Sequence, residues 1–322
     1  MATAPEVLET ASGLPATMKA MRVHAFGGVE AIVEEDVALP APGPGEVLVR
    51  VAAAGVGPWD GWIRSGNSVL PQPLPLTLGS DLSGEVAALG EGVTGFAVGE
   101  PVYGVTNARF TGAYAEFAIA SAAMIARKPA ALSHVEAASA PVVAVTAEQA
   151  LFDHAGLKAG QRVLIHGAAG NVGRYAVQLA RRAGLHVVAP ASAADAEALL
   201  ALGADEILDR DHPEQIQVDG VVDLVGGPGQ ATLFDFLAPG GVLISAVAEP
   251  DQALAAERGV RAGFMLVDVR TEALDRLTAL FEQGALKPWL GEALPLAEAR
   301  TAHRMLENAA SHRPGKIVLE VR

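Results

Sequence analysis

Residues 163–173 read Val-Leu-Ile-His-Gly-Ala-Ala-Gly-Asn-Val-Gly, and they carry the first chemistry legible in the chain. An apolar run stops at a small-residue turn spaced Ala168-x-Gly170-x-x-Gly173. Such a turn brings backbone N–H groups and a helix N-terminus up to a pyrophosphate. Val172, Ala176, Leu179, Ala180 and Ala183 recur at helical spacing, so the following segment predicts a helix with one face fit to lie on a sheet. A second apolar run, His186–Ala189, begins just after Gly184. The whole is a strand–turn–helix–strand unit of βαβ length. Ala168, Gly170, Asn171, Val172 and Gly173 are therefore the candidate dinucleotide contacts. The pattern departs from Gly-x-Gly-x-x-Gly at its first position, and a glycine-rich turn that binds nothing is the alternative.

A second group of residues lies earlier. Trp59, Asp60 and Trp62 sit in a Gly/Pro-rich segment, and loops of that kind often carry function. With Tyr103, Phe110 and Phe264 they are the candidates to line a pocket for a planar substrate; core packing is the alternative for each. Asp60 is the one candidate acid–base group, although capping or bracing its loop is the favoured role. No side chain stands out as a general acid. The chain has no cysteine, which excludes disulfides, thiolate catalysis and cysteine–zinc sites. Its 8 histidines show no His-x-x-x-His spacing, so no metal is expected.

The elements that must position these residues fall into two textures. Up to about residue 130 short strands alternate with dense Gly and Pro: Ala20–Phe26, Glu46–Ala52, Glu85–Leu89, Val102–Val105 and Tyr114–Ile119. From about Pro141 apolar strands alternate with helices. The strands are Val163–His166, His186–Ala189, Glu206–Leu208, Gly220–Leu224, Val242–Val247 and Phe264–Val267. The helices include Tyr175–Ala183, Asp195–Leu202, Gln230–Leu237 and Thr271–Gly284. That is the signature of a doubly wound parallel sheet. Lys316–Val321 predicts a last strand that returns to the first domain. A length of 322 residues suits two domains, and 51% hydrophobic residues suffice for two cores. A net charge of −14 argues against nucleic-acid and anionic-membrane partners. No apolar run approaches the ~20 residues of a membrane span. Residues 1–17 read as an N-terminal extension without the basic n-region of a signal peptide, and a cytoplasmic location is expected.

In this order the chain resembles the medium-chain dehydrogenase/reductase superfamily, and within it the zinc-independent quinone oxidoreductase branch. The motifs that carry the resemblance are Met18–Val23 with Gly27-Gly28, Gly55–Asp60 with Ile63–Gly66, Leu78–Val86, Tyr114–Phe117 and Gly315–Leu319. The resemblance implies an α/β protein. A β-rich GroES-like domain would hold residues 18–141 and 285–322, and a Rossmann doubly wound domain residues 142–284. It places the zinc-ligand positions of metal-dependent members at Gly57, Ser80, Asp81 and Val142, where Asp81 alone could ligate. Three or four ligands are needed.

The second strand of the nucleotide domain ends in Ala189-Pro190-Ala191-Ser192 without the carboxylate that accepts from an NAD ribose. NADPH is therefore expected, with Ser192 and Arg210 as 2′-phosphate contacts. A surface ion pair with Asp209 or Asp211 is the alternative for Arg210. Val225, Ala246, Val247, Phe264 and Met265 are expected beside the nicotinamide, and Thr146 and Lys316 complete the expected cofactor set. The implied activity is zinc-independent hydride transfer from NADPH to a quinone or α,β-unsaturated carbonyl, from substrate bound between the domains. A narrow enzyme for one enone or enoyl metabolite, and an NADPH-binding sensor or structural protein, are the rival readings. Relatives commonly pair through an edge strand, which implies a homodimer, here through residues 259–267.

Overall fold

The computed structural model describes residues 13–209 and 216–322. The chain divides into two compact units. The first holds residues 1–142, 269–284 and 288–322; the second holds 143–268 and 285–287.

In the first unit the strands are β1 (Thr17–Val23), β2 (Val33–Ala38), β3 (Glu46–Val56), β4 (Leu76–Thr77), β5 (Asp81–Leu89), β6 (Pro101–Val105), β7 (Phe117–Ser121) and β8 (Ile125–Arg127). Its helices begin with α1 (Pro58–Ser65) and α2 (His134–Ala138). A three-stranded sheet runs β2-β1-β4. β3 is the spine of the larger sheet, pairing antiparallel with both β5 and β7. Its residues 51–56 are all buried, as expected of an apolar run covered on both faces. Val47, Val49, Val51, Leu82, Val102 and Ile125 meet in one core.

α3 (Pro141–Glu148) spans the boundary into the second unit. That unit is a six-stranded parallel sheet of β9 (Arg162–His166), β10 (His186–Ala191), β11 (Glu206–Asp209), β12 (Val218–Asp223), β13 (Leu237–Ser245) and β14 (Arg261–Phe264), in the order β11-β10-β9-β12-β13-β14. The order reverses between β9 and β12. Crossovers include α4 (Asn171–Arg182), α5 (Ala193–Leu202) and α6 (Gln252–Arg258). The interiors of β9, β10 and β12 are largely closed to solvent, as in parallel sheets covered by helices.

The chain then returns to the first unit through α7 (Thr271–Glu282), β15 (Leu290–Pro295), α8 (Ala299–Leu306) and β16 (Lys316–Glu320). β16 pairs antiparallel with β3 and parallel with β15, so the last strand does rejoin the first sheet. Among the described residues no helix is long and apolar enough to cross a membrane.

Several boundaries differ from the sequence reading. α7 groups with the first unit rather than the nucleotide domain. Thr271 Oγ1 donates to Ile125 O (2.8 Å), and Tyr103 Oη donates to Leu274 O (2.8 Å), tying the helix to β6 and β8. β14 ends at Phe264 instead of starting there, because parallel pairing aligns Arg261 with Val242 and Phe264 with Ser245. Tyr114 lies outside β7. Its backbone bonds Met21 and Leu78, and the strand begins only at Phe117, where it meets Arg50. The segment 230–236 is a 3₁₀ rather than an α-helix. Thr17, assigned to the N-terminal extension, already pairs with Ala38 in β1.

Candidate active site

The dinucleotide turn is built on β9. Gly167 follows it with φ +87°, a left-handed conformation that suits glycine. Ala168 has no such requirement, which is why alanine serves at the first position of the pattern. Gly173 is required for another reason. A Cβ there would overlap Gly167 O and stand 2.6 Å from Ala168 Cα, so only glycine lets α4 settle onto the turn. Gly170 caps α4 with extended backbone (φ −78°, ψ 177°). Asn171 Oδ1 is buried and finds no hydrogen-bond partner among the described residues. A buried acceptor left open costs about 1–3 kcal/mol, and a ligand hydroxyl or amide would satisfy it. The cradle and the open acceptor fit a dinucleotide on the turn.

Along the same sheet edge, Asp223 ends β12 fully buried. Its Oδ1 accepts from Val225 N–H (3.1 Å), Gly226 N–H (3.0 Å) and the His166 ring (2.9 Å). Its Oδ2 accepts from Gln230 Nε2 (2.9 Å) and Ser245 Oγ (3.0 Å). Burial alone would raise its pKa. The five donors outweigh it and hold the carboxyl well below the usual range, so it stays ionised. This hub fixes the ends of β9, β12 and β13. Val225, Val247 and Leu266 stand 53%, 41% and 58% exposed at the ends of β12, β13 and β14. Three exposed apolar side chains on that edge mark the place where open α/β sheets bind ligands. Ala246 lies between, its N–H on Asp223 O, and Phe264 is half-buried. Met265 is buried and Thr146 is enclosed in α3, so their side chains are part of the packing. Ser192 caps α5 but donates its hydroxyl to Asp195 (2.7 Å). Arg210 lies outside the described residues.

In the first unit Gly57, Ser80, Asp81 and Val142 border a buried cluster of Trp59, Asp81 and Lys316. A Cβ at Gly57 would overlap the Trp59 ring. Trp59 Nε1 donates to Ser80 Oγ (3.0 Å), and Lys316 Nζ lies 4.4 Å from the indole centroid. Lys316 also donates to Asp81 Oδ2 (3.0 Å), while Asp81 Oδ1 accepts from Val142 N–H (3.0 Å). Lys316 and Asp81 are 2% and 0% exposed. The residues at Gly57, Ser80, Asp81 and Val142 do not fit a zinc ion: the one carboxylate is taken and an indole fills the space. Among the described residues no group of three His, Asp or Glu could hold a metal either. Lys316, expected at the cofactor, lies in this cluster.

Asp60 caps α1 from inside. Its Oδ2 accepts from Gly57 N–H (2.8 Å) and Tyr114 Oη (3.1 Å), and Oδ1 has no partner among the described residues. Burial pushes its pKa up to about 7. It braces the loop that presents Trp59. Tyr114 is fully buried, and its hydroxyl is driven well above the usual range by burial and then by Asp60. Its ring meets His303 edge-on at 6.0 Å. His303 Nδ1 lies 3.2 Å from Arg64, which also ion-pairs with Glu307. Burial, then the Arg64 charge, lowers His303 to about 3.

The aromatic expectations divide. Trp59 is half-buried beside this cluster, and Trp62 is 52% exposed on α1. Tyr103 is fully buried with its hydroxyl spent on α7, and Phe110 packs against the core. Tyr103 is packing, because its strand turns it inward, whereas Phe110 is half-buried. The sequence reading missed the Asp223 hub, Leu266 and the Arg64–His303–Glu307 contact. Chain separations above 200 residues leave no spacing signal for the last.

A parallel nucleotide sheet with a glycine-rich turn, joined to a β-rich unit with a tryptophan loop, defines a dinucleotide-dependent oxidoreductase architecture. Known families and structures agree. Residues 43–130 match the "Alcohol dehydrogenase GroES-like domain" and residues 202–319 the "Zinc-binding dehydrogenase" description. The quinone oxidoreductase of Lama guanicoe is 33% identical over 94% of this chain and 97% of its own length. The quinone oxidoreductase structure from Coxiella burnetii superposes with a TM-score of 0.87 at 33% identity, covering 95% of this chain and all of that one. A mycobacterial protein solved in complex with NADPH superposes at 0.81 with 30% identity, covering 94% and 100%. The chain belongs to the quinone oxidoreductase-like branch of the medium-chain dehydrogenase/reductase superfamily. Its activity is that of an oxidoreductase.

Proposed function

We propose that the protein is an NADPH-dependent reductase of quinones or α,β-unsaturated carbonyl compounds that works without zinc. The observation that carries this reading is the buried Lys316–Asp81–Trp59 cluster at the positions that the resemblance assigns to a metal. With no Lewis acid to polarise an ordinary carbonyl, the acceptor must bring its own electrophilicity, as a quinone or enone does. Bound NADPH would supply the hydride. The chain's part is to hold and orient. The 167–173 turn and the α4 N-terminus receive the pyrophosphate, and Asn171 offers an acceptor. Val225, Val247 and Leu266 give an apolar surface at the sheet edge, and the fixed indole of Trp59 offers a planar wall. No side chain is needed as an acid, since solvent can protonate the reduced oxygen or enolate.

The NADPH-complexed mycobacterial relative supports the cofactor, and the quinone oxidoreductase relatives support the acceptor class. The test is loss of NADPH absorbance with benzoquinones, naphthoquinones and enones, with NADH alongside. Turnover with several acceptors and a preference for NADPH is expected. Tight NADPH binding without turnover on any acceptor would overturn the reading in favour of a sensor or structural role. β14 at the sheet edge supports a homodimer through residues 259–267, which light scattering would read as twice the chain mass.

A further inference from the structure

A guanidinium stands at the dinucleotide turn. Arg174, four residues into α4, folds back so that its Nε donates to Ala169 O (3.2 Å), inside the turn itself. α4 packs on α5, and Asp195 in the first turn of α5 is near enough for its charge to act on Arg174. Asp195 Oδ2 in turn accepts from Ser192 Oγ (2.7 Å) at the tip of β10. β9 and β10 are parallel neighbours, with Leu164 beside Val188. A guanidinium, a carboxylate and a hydroxyl thus lead from the turn after β9 to the tip of the second strand. In a doubly wound sheet that tip is where the adenosine ribose is read.

We propose that Arg174 is the specificity-determining cation for the 2′-phosphate, and that Asp195 is its antagonist in the same subsite. This rests on the NADPH reading above. A guanidinium presents a planar fork that fits phosphate oxygens and remains charged when half-buried. Asp195 repels the same dianion, and toward an unphosphorylated ribose it becomes the acceptor for the 2′-hydroxyl. Dinucleotide preference is then a difference between two opposed groups rather than the action of one.

The experiment measures dissociation constants of 2′,5′-ADP, 5′-AMP, NADP⁺ and NAD⁺ by calorimetry on the full chain. Wild type should prefer 2′,5′-ADP to 5′-AMP. Arg174→Gln should weaken 2′,5′-ADP and NADP⁺ at least tenfold and leave 5′-AMP and NAD⁺ within twofold. Asp195→Asn should tighten NADP⁺ severalfold and weaken NAD⁺. If Arg174→Gln weakens all four ligands alike, Arg174 merely braces the turn and the proposal fails. If the wild-type preference survives Arg174→Gln, the proposal fails while the NADPH reading stands. A wild type with no preference for 2′,5′-ADP overturns both.

Discussion

Replacing Lys316 by Met tests whether the buried ammonium is what Asp81 depends on. The pair it forms with Asp81 is closed to solvent on both sides, at 3.0 Å. Two unit charges at that separation attract by about 5.5 kcal/mol at an effective dielectric near 20. Desolvation offsets much of this, so the pair as a whole contributes little. Removing one partner is different, because Asp81 is then left buried with Val142 N–H as its one remaining polar contact. Such a loss costs about 3–5 kcal/mol, and the lost contact of the ammonium with the Trp59 face adds about 0.5–2 kcal/mol. Trp59, Trp62 and Trp289 all belong to the first unit and are the only tryptophans in the chain, so their emission in urea reports unfolding of that unit alone. Lys316→Met should lower its stability by at least about 3 kcal/mol at pH 7. The double variant Asp81→Asn/Lys316→Met, with no buried charge and with an oxygen still facing Val142 N–H, should recover at least half of that loss. The defect of the single variant should also shrink as pH falls and Asp81 takes a proton. A single variant within about 1 kcal/mol of wild type, or a double variant no better than the single, would refute the argument.

Other outcomes follow from the same geometry. His303 is neutral in the folded chain down to about pH 3, whereas an unfolded histidine charges below about 6.5. Its contribution is therefore complete above pH 6.5 and is lost as pH falls, by about 2 kcal/mol at pH 5. Asp60, raised from 3.8 to about 7, has the opposite sign: its contribution is complete below 3.8 and lost as pH rises toward 7. His303→Gln should therefore make stability fall with rising pH between about 4 and 6.5, and Asp60→Asn should make it rise; equal slopes in urea titrations of the two variants would contradict this. Gly173→Ala should weaken dinucleotide binding at least tenfold by calorimetry and leave tryptophan-monitored unfolding unchanged, and retained affinity would show that the turn can yield. Trp59→Phe should raise KM for naphthoquinones. Tyr103→Phe should leave KM unchanged and cost about 1 kcal/mol through its lost bond to Leu274 O; a shifted KM in Tyr103→Phe would return that residue to the pocket.

The sequence by itself determined the architecture of each unit and the turn at 167–173. These are local matters: apolar runs, breaks at Gly and Pro, and a spacing of small residues that survives without knowledge of distant contacts. Through the family resemblance it also implied that Gly57, Ser80, Asp81 and Val142 carry too few ligands for zinc. What stands there instead was decided by tertiary structure. Lys316 reaches Asp81 across 235 residues because β16 returns to pair with β3, and no spacing along the chain announces such a meeting. The same holds for Arg64 and His303, brought together from α1 and α8. Tyr103 has the composition of a pocket residue, and only the direction of its strand makes it core. Asp223 shows the converse. Its place at a strand end was legible, but the five donors that keep it charged come from the ends of β9 and β13 and from the segment after β12, and only folding gathers them. Sequence specifies which elements form because their signals are short-range; a site is a set of long-range coincidences, and those exist only once the sheets have closed.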